Sequence, residues 1–197
     1  MLDGRGVNGH VWVFYGALSS VEYTLTVTDT MTGAARRYVN LSGRLGSVAD
    51  TIAFGPRGAT PSSTTTGPAI AGVIAAEVSR TAVVPKAACV ASSTRLCLKG
   101  GRFAVEAHWS IPGSSGAGQA VPLTGDTGYL WFFNAANVEL VVKVLDGRPV
   151  NGKFWVYYGA LSNVEYTLTV TDTVTGRVKT YKNPPGRYAS AGDSSAF

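Results

Sequence analysis

Few side chains of this 197-residue chain could carry catalysis. Serines are plentiful, but a serine nucleophile needs a base within hydrogen-bond reach, and only His10 and His108 could provide one. His10 corresponds to Lys153 in an internal repeat described below, and His108 alternates with apolar residues on the outward face of an extended segment. We therefore interpret both histidines as surface residues, and we expect no catalytic residues and no enzyme activity.

Two acidic residues beside glycine and threonine indicate a weak cation site. Asp126 in LTGDTG and Asp172 in TDTVTG offer carboxylates next to other oxygen ligands, which calcium prefers. Neither segment has the dense acidic loop of a strong site, so we expect no cofactor, with calcium as the alternative. Glycoside hydrolysis would need a pair of carboxylates, but four of the six candidates fall in turn-like stretches where Asp orients the backbone. The six are Asp126, Glu139, Asp146, Glu165, Asp172 and Asp193.

Three aromatic residues form a possible ligand platform. Trp131, Trp155 and Tyr157 lie in segments with large side chains on both faces, so alternation alone does not assign them to one core. Exposed tryptophan and tyrosine rings stack on sugars or anchor protein partners. Because large apolar patches are seldom left exposed, we favour the alternative that a second layer or a neighbouring module covers these rings.

The two cysteines of the chain, Cys89 and Cys97, are separated by seven residues. This spacing closes a short loop and predicts a disulfide at the edge of a β domain in an oxidising compartment. Two reduced thiols in a cytosolic protein are the alternative. Zinc would need two further ligands, and the histidines lie in unrelated contexts.

Composition and charge narrow the class of protein. Hydrophobic residues make up 45% of the chain and charged residues 15%, with 24 glycines, which is typical of an all-β secreted protein. The net charge of +5 is spread along the chain, so we expect no nucleic-acid partner. The near-apolar run 69–78 is too short for a membrane span, and no signal peptide begins the sequence. We expect an extracellular or cell-surface location, reached through an export signal that this sequence does not include.

The segments that would position these residues belong to an internal repeat that occurs twice in the sequence. A first copy, residues 2–54, aligns with a second copy, residues 145–197, and 34 of the 53 positions are identical, which indicates a recent duplication. The β-like sequence 89–144 precedes the second copy and has no counterpart before the first. We therefore predict an N-terminal unit (1–54) that is the C-terminal half of a repeat, a Gly/Pro/Ser/Thr-rich linker (55–88) with an apolar segment at 69–84, and a complete C-terminal unit (89–197).

The missing half raises the question of what completes the N-terminal unit. Met1 aligns with Val144 inside an apparent strand, so we expect Met1 to be an internal start or a fragment boundary within a longer chain of tandem modules. The alternative is that strands from another chain complete residues 1–54 by domain swapping or strand addition.

Alternating apolar and polar residues predict an antiparallel β-sandwich. The predicted strands are 102–109, 128–134, 137–147, 153–160, 164–173 and 177–183, with a seventh at 120–124. In the second copy we expect an inward set of Val164, Tyr166, Leu168 and Val170, matched in the first copy by Val21, Tyr23, Leu25 and Val27. Glu139 and Lys143 should face outward. Gly176 is expected at a hairpin turn that needs a positive φ.

The segment ALSNVEYTLTVTDTVTGRVKTY (160–181) resembles the end of an immunoglobulin-like or fibronectin type III-like sandwich. The resemblance implies that Tyr166, and Tyr23 in the first copy, is a corner tyrosine hydrogen-bonded to the loop before it. A tyrosine packed in the core is the alternative. Cys89 and Cys97 depart from the immunoglobulin pattern, because they are too close in sequence to bridge the two sheets in the usual way.

The unit that contains LCLKGGRF and NVELVVKVLDGR also resembles a module repeated in large secreted proteins of environmental bacteria. That resemblance implies a location and an architecture but no established activity. We therefore expect a non-catalytic extracellular structural or interaction module, with neighbouring modules, carbohydrate or a cell-surface protein as partners. A carbohydrate-binding module and an accessory domain of a secreted hydrolase are the alternatives.

Overall fold

The computed structural model describes residues 1–55 and 87–197. The predicted linker at 55–88, with its apolar segment 69–84, lies almost entirely outside the described residues. The described part contains two helices of four residues each, and no helix in it is long and apolar enough to cross a membrane.

The N-terminal unit forms two small antiparallel sheets. Its elements are β1 (Leu2–Gly4), α1 (Arg5–Asn8), β2 (His10–Gly16), β3 (Tyr23–Thr28), β4 (Ala35–Asn40) and β5 (Ser47–Phe54). One sheet has the order β1-β2-β5, and β3 and β4 pair as a hairpin. The buried core of this unit consists of Val13, Tyr38, Ala53 and Phe54.

The C-terminal unit forms two larger antiparallel sheets. Its elements are β6 (Leu96–Leu98), β7 (Phe103–Ile111), β8 (Ser114–Ala117), β9 (Gln119–Pro122), β10 (Thr127–Trp131), β11 (Leu140–Asp146), α2 (Arg148–Asn151), β12 (Phe154–Ala160), β13 (Glu165–Asp172), β14 (Val178–Asn183) and β15 (Ser190–Asp193). One sheet has the order β15-β12-β11-β10-β9. The other has the order β14-β13-β7-β6, with β8 paired to β7.

One hydrophobic core joins the two sheets of the C-terminal unit. Alternate residues of β11 and β12 meet alternate residues of β7 and β13 in a single buried cluster, as expected when two half-buried sheets pack face to face. The fully buried members include Val105, Leu140, Val142, Val144, Val156, Leu168 and Val170. Every residue of this cluster lies between Leu96 and Phe197, so the C-terminal unit has a closed core of its own.

The predicted all-β class is confirmed, and the alternating segments are the most accurate part of the prediction. The hairpin between β13 and β14 closes through Gly176, whose φ is 74° and whose N–H donates to the Asp172 carbonyl at 2.7 Å. Tyr166, Leu168 and Val170 are buried as expected. The short strands β6, β8 and β15 and the helix α2 were not predicted, because each spans only three or four residues.

Glu139 is a correction to the predicted outward face of β11. It precedes the strand, which begins at Leu140, and its side chain is 0% exposed. The carboxylate accepts hydrogen bonds from the Phe132 N–H and the Asn137 side-chain amide, both at 2.6 Å. Alternation does not extend to Glu139 because it lies outside the regular register, which begins at Leu140. Its N–H donates to the Leu130 carbonyl, and its own carbonyl accepts from the Leu161 N–H.

Val21 corrects the predicted inward set of the first copy. Its side chain is 65% exposed, whereas Val164, its counterpart, packs against the core of the C-terminal unit. Tyr23, Leu25 and Val27 are half-buried rather than buried. The pattern of these residues is identical in both copies, so the difference comes from the strands around them.

The two copies nevertheless share their local structure. The Tyr38 hydroxyl donates to Asp50 at 2.9 Å, and the corresponding Tyr181 hydroxyl donates to Asp193 at 3.0 Å. Each tryptophan that follows a short helix donates its indole N–H to an asparagine of that helix at 2.9 Å; the pairs are Trp12 with Asn8 and Trp155 with Asn151. The duplicated sequence therefore folds into the same elements twice.

Candidate functional site

The three residues of the predicted aromatic platform lie on one face of one sheet. Strand β10 and the first five residues of β12 bury every second residue. Trp131, Trp155 and Tyr157 occupy the alternate, half-buried positions that face away from the core. Tyr129 shares this outer face. Strand β11 separates Trp131 from the other two. Leu140 of β11 pairs with Leu130 on one side and with Ala160 on the other, so the backbone of Trp131 lies about 17 Å from that of Tyr157 and about 22 Å from that of Trp155.

Trp155 and Tyr157 do not present a flat platform. Their ring centroids are 6.5 Å apart and their planes cross at 69°, an edge-to-face arrangement. The indole of Trp155 lies over Gly147, where a Cβ would fall only 2.0 Å from a ring atom. Together with its hydrogen bond to Asn151, this packing ties Trp155 to the turn before β12.

The outer face of β12 also receives the N-terminal unit. A Cβ placed on Gly159 would lie 3.1 Å from the Cα of Gly16, so the backbones of β12 and β2 approach closely. The buried hydroxyls of Ser47 and Ser190 form a hydrogen bond between the ends of β5 and β15. A neighbouring unit thus covers part of the face that carries Trp155 and Tyr157.

One strand edge of the N-terminal unit is unpaired among the described residues, whereas the corresponding edge of the C-terminal unit is paired. Strand β13 pairs with β14 on one side and with β7 on the other, from Glu165 opposite Ser110 to Asp172 opposite Phe103. Its counterpart β3 pairs with β4, and no other strand of the described residues pairs with it. The free edge of β3 corresponds to the edge that β7 occupies.

A second edge is partly open in the same unit. All seven residues of β12 pair with β11. Strand β2 instead pairs with the three residues of β1, opposite His10, Val11 and Trp12. On that side the structure describes no partner for residues 13–16. The half-buried Tyr15 lies in this stretch, whereas its counterpart Tyr158 is buried and burial raises its pKa to about 12.

The protein's own side chains surround the two carboxylates predicted for calcium. Asp126 accepts hydrogen bonds from the Thr124 and Thr127 hydroxyls at 2.8 Å, which lower its pKa, and Lys99 lies 3.8 Å away. Asp172 is buried and forms two hydrogen bonds with Arg102. In the described ranges, no three His, Cys, Asp or Glu side chains gather as a metal site would require.

Burial and hydrogen bonding shift the pKa of Asp172 in opposite directions. Burial alone raises its pKa, but hydrogen bonds from Arg102, from the Thr175 hydroxyl and from the Val174 N–H lower the pKa below its ordinary value. The carboxylate is therefore charged, and it links the end of β13 to the residue before β7. This structural role agrees with the expectation that aspartates in these turns orient the chain.

The remaining predicted residues lie apart from these surfaces. Cys89 and Cys97 form a disulfide with a Cα–Cα distance of 5.6 Å. His108 is exposed on the outer face of β7. The Tyr166 hydroxyl is buried without a hydrogen-bond partner among the described residues, so the corner hydrogen bond implied by the immunoglobulin resemblance is wrong and the core-packing alternative holds.

Sequence reasoning missed the residues at which the units meet. Gly159 and Ser190 each have the same residue type at the corresponding position of the first copy, and this identity was the available signal. Arg102 was also missed, because nothing in its segment indicates a partner seventy positions later. No protein-family model, curated protein or solved structure matches the chain. The functional interpretation of these surfaces therefore rests on their geometry.

Proposed function

We propose that this protein is a non-catalytic β-sandwich module that assembles with other modules of its kind through strand pairing. The observation that carries this proposal is the contrast between β3 and β13. The sequence VEYTLTVTDT occurs at 21–30 and again at 164–173, yet only the second segment is paired on both edges within the described residues. The N-terminal unit is therefore the acceptor, and strands equivalent to β7 and β11 of a neighbouring module are the donors.

Strands β7 and β11 of the C-terminal unit indicate which side chains a donor strand needs. Strand β7 places Phe103, Val105 and Ala107 in the core, and β11 adds alternate buried residues to the same cluster. A donor with this period of two forms backbone hydrogen bonds along the open edge and covers the half-buried Leu25 and Val27 with its apolar side chains. Backbone pairing supplies affinity, and the alternate side chains supply specificity.

The small core of the N-terminal unit supports the same proposal. Its four buried residues contrast with the continuous two-sheet cluster of the C-terminal unit. A unit with so little buried apolar surface has little to offset the conformational entropy of folding. Donor strands would complete this core as well as the edges.

We place this module outside the cytoplasm and regard it as an immunoglobulin-like or fibronectin type III-like sandwich. The Cys89–Cys97 disulfide supports an oxidising compartment. Two antiparallel sheets packed around one core support the sandwich. The partners of such a module are neighbouring modules of its own chain type or a second chain that donates strands.

The test places a second copy of residues 89–144 directly ahead of Leu2. This fusion gives the first copy the segment that precedes the second copy. We expect amide hydrogen exchange in segment 21–30 to slow to the rate of segment 164–173, because β3 gains its missing neighbour. The control fusion carries Val105→Asp in the added segment, which buries a charge in the new core and should leave segment 21–30 in fast exchange.

The same readout tests assembly between separate chains. Free polypeptide 89–144 is added to the original chain, and exchange is followed in both segments. Protection gained at 21–30 but not at 164–173 supports strand donation. If segment 21–30 exchanges as fast in the fusion as in the original chain, the acceptor role is refuted.

The outward-facing Trp131 of β10 favours a second candidate function, carbohydrate binding. Trp131, Trp155 and Tyr157 are all half-buried and point outward from one sheet. Trp131 is the residue to test, since Trp155 is tied to Asn151. Tryptophan fluorescence titrated with a glycan panel should show binding that Trp131→Ala removes and that Phe133→Ala, a change at an exposed ring outside β10, retains. A panel without any binding glycan refutes this candidate.

A further inference from the structure

The contacts between the two units are made by corresponding residues. Positions in the two copies are related by a shift of 143, which is the separation of Ser47 and Ser190. These two hydroxyls hydrogen-bond to each other. Gly16 and Gly159, related by the same shift, also meet each other: a Cβ on Gly16 would lie 2.9 Å from the Cα of Gly159. Each residue of these pairs therefore contacts its own counterpart.

Next to the serine and glycine contacts are two further contacts, each between residues that are not each other's counterparts. The rings of Phe14 and Tyr188 pack with centroids 5.7 Å apart. Their counterparts under the same shift are Tyr157 and Leu45, which meet at Gly192. A Cβ at Gly192 would lie 2.6 Å from a Tyr157 ring atom and 2.7 Å from a Leu45 methyl carbon.

Residue i thus contacts j while the counterpart of i approaches the counterpart of j. This reciprocity is the signature of an isologous, twofold-related interface. Such a surface is self-complementary, because the same patch supplies both sides. The N-terminal unit then sits on the C-terminal unit as a second copy of the same module would.

We propose that the outer face of β12 and β15, together with Tyr188, is a self-association surface that pairs modules around a twofold axis. The pairing face is defined by Tyr157, Gly159, Tyr188 and Ser190. In this chain the N-terminal unit occupies it. When the N-terminal unit is absent, a second C-terminal unit takes the same place, with Gly159 against Gly159 and Ser190 against Ser190.

The residue differences between the copies fit such a homotypic pair. Tyr157 replaces Phe14 and adds only a hydroxyl to the ring that packs on Tyr188. Tyr188 replaces Leu45 and is larger, but Gly192 stands where the first copy has Ala49, which leaves additional space beside the pairing face. The two glycines remain at the centre, where any side chain would force the backbones apart.

The test uses residues 87–197, whose core is closed within the C-terminal unit. Sedimentation equilibrium should give the mass of a dimer. Gly159→Leu should be monomeric, because its side chain enters the contact at the twofold axis. Gly125→Leu, at an exposed glycine with open space around its Cβ position, should remain dimeric. Circular dichroism and thermal denaturation check that both variants are folded.

A cysteine variant tests the axis directly. Ser190→Cys in residues 87–197 should form a covalent dimer through the two introduced thiols under mild oxidation, at least tenfold faster than Ser195→Cys, whose side chain is exposed outside the pairing face. Monomeric 87–197 at high protein concentration, or equal cross-linking of the two variants, overturns the proposal. This outcome is separate from strand donation, since the experiment contains no part of the N-terminal unit.

Discussion

Arg102 and Asp172 form a bidentate ion pair that joins the residue before β7 to the end of β13. The guanidinium donates to the two carboxylate oxygens at 3.1 and 2.9 Å, and the Asp172 side chain is 1% exposed. The same guanidinium lies 4.2 Å from the ring centroid of Phe154, which belongs to the opposite sheet. One arginine therefore connects two paired strands and the second layer of the sandwich.

Breaking this pair should destabilise the C-terminal unit. Asp172→Asn keeps the size of the side chain but removes the charge and one acceptor, and we expect the free energy of unfolding to fall by about 2–3 kcal/mol. As a control, Glu106→Gln removes the charge from the half-exposed pair with Arg95. This change should alter the free energy of unfolding by less than about 0.5 kcal/mol. Urea denaturation followed by tryptophan fluorescence measures both. Similar losses in the two variants would contradict this role for Asp172.

Glu139 should make stability depend on pH in the direction opposite to Asp172. Burial raises the pKa of its carboxyl, and the hydrogen bonds from Phe132 and Asn137 offset this only in part. A carboxyl whose pKa is higher in the folded state than in the unfolded state binds its proton more tightly in the folded state. Its contribution to stability is therefore greatest at low pH and declines as pH rises through the folded-state pKa.

Glu139→Gln should remove this decline. The variant keeps both hydrogen bonds if the Asn137 amide turns over, since an amide can donate or accept at the same site. We expect wild-type stability, relative to the variant, to fall in urea denaturation as the pH rises above 4.5, the ordinary pKa of a glutamate. Parallel profiles over this range would show that Glu139 does not titrate differently in the folded protein.

The duplicated ten-residue segment provides an internal control for the open edge. Segments 21–30 and 164–173 have identical sequences, so the intrinsic exchange rates of their internal amides match. We expect the amides of 164–173 to exchange at least about 100-fold more slowly in the original chain, because β13 is paired on both sides and packed in the larger core. NMR-detected exchange separates the two segments. Equal protection would mean that the free edge of β3 is covered in solution.

Loss of the disulfide should destabilise the C-terminal unit. The bridge links β6 to residues 89–92, and Cys89 also donates its N–H to the Gly101 carbonyl at 3.0 Å. We expect the Cys89→Ser, Cys97→Ser double variant to lose about 2–3 kcal/mol of unfolding free energy, the chain-entropy value for a short loop. Reductant should produce the same loss in the wild-type chain and none in the variant. An unchanged denaturation midpoint on reduction would contradict a stabilising bridge.

Much of the fold could be predicted because the strands of the C-terminal unit alternate. Alternation placed Val105 and Ala107 of β7, and Leu168 and Val170 of β13, on the inward side, where they are buried. It failed at Glu139, which lies between a hydrogen-bonded turn and the start of β11, outside the regular register. It also missed β6, β8 and β15, since three or four residues are too few to show a period of two.

The candidate surfaces could be predicted only in part. The sequence indicated that Trp131, Trp155 and Tyr157 are not all core residues, and the structure places them on one outer face, with Trp131 apart from the other two. It did not indicate that Gly159 and Ser190 meet their own counterparts. Such contacts depend on how two folded units approach each other, and no local pattern encodes that approach.

The sequence by itself determined the β class, the position of the disulfide and the presence of an internal repeat. Each of these depends on a local property: period-two alternation, cysteine spacing or sequence identity. Only the tertiary structure decided that identical segments have different environments. Strand β13 has β7 beside it and β3 has no such neighbour among the described residues, so the same tyrosine, leucine and valine are buried in one copy and half-exposed in the other. Burial depends on residues distant in sequence, and a repeated passage cannot specify those neighbours.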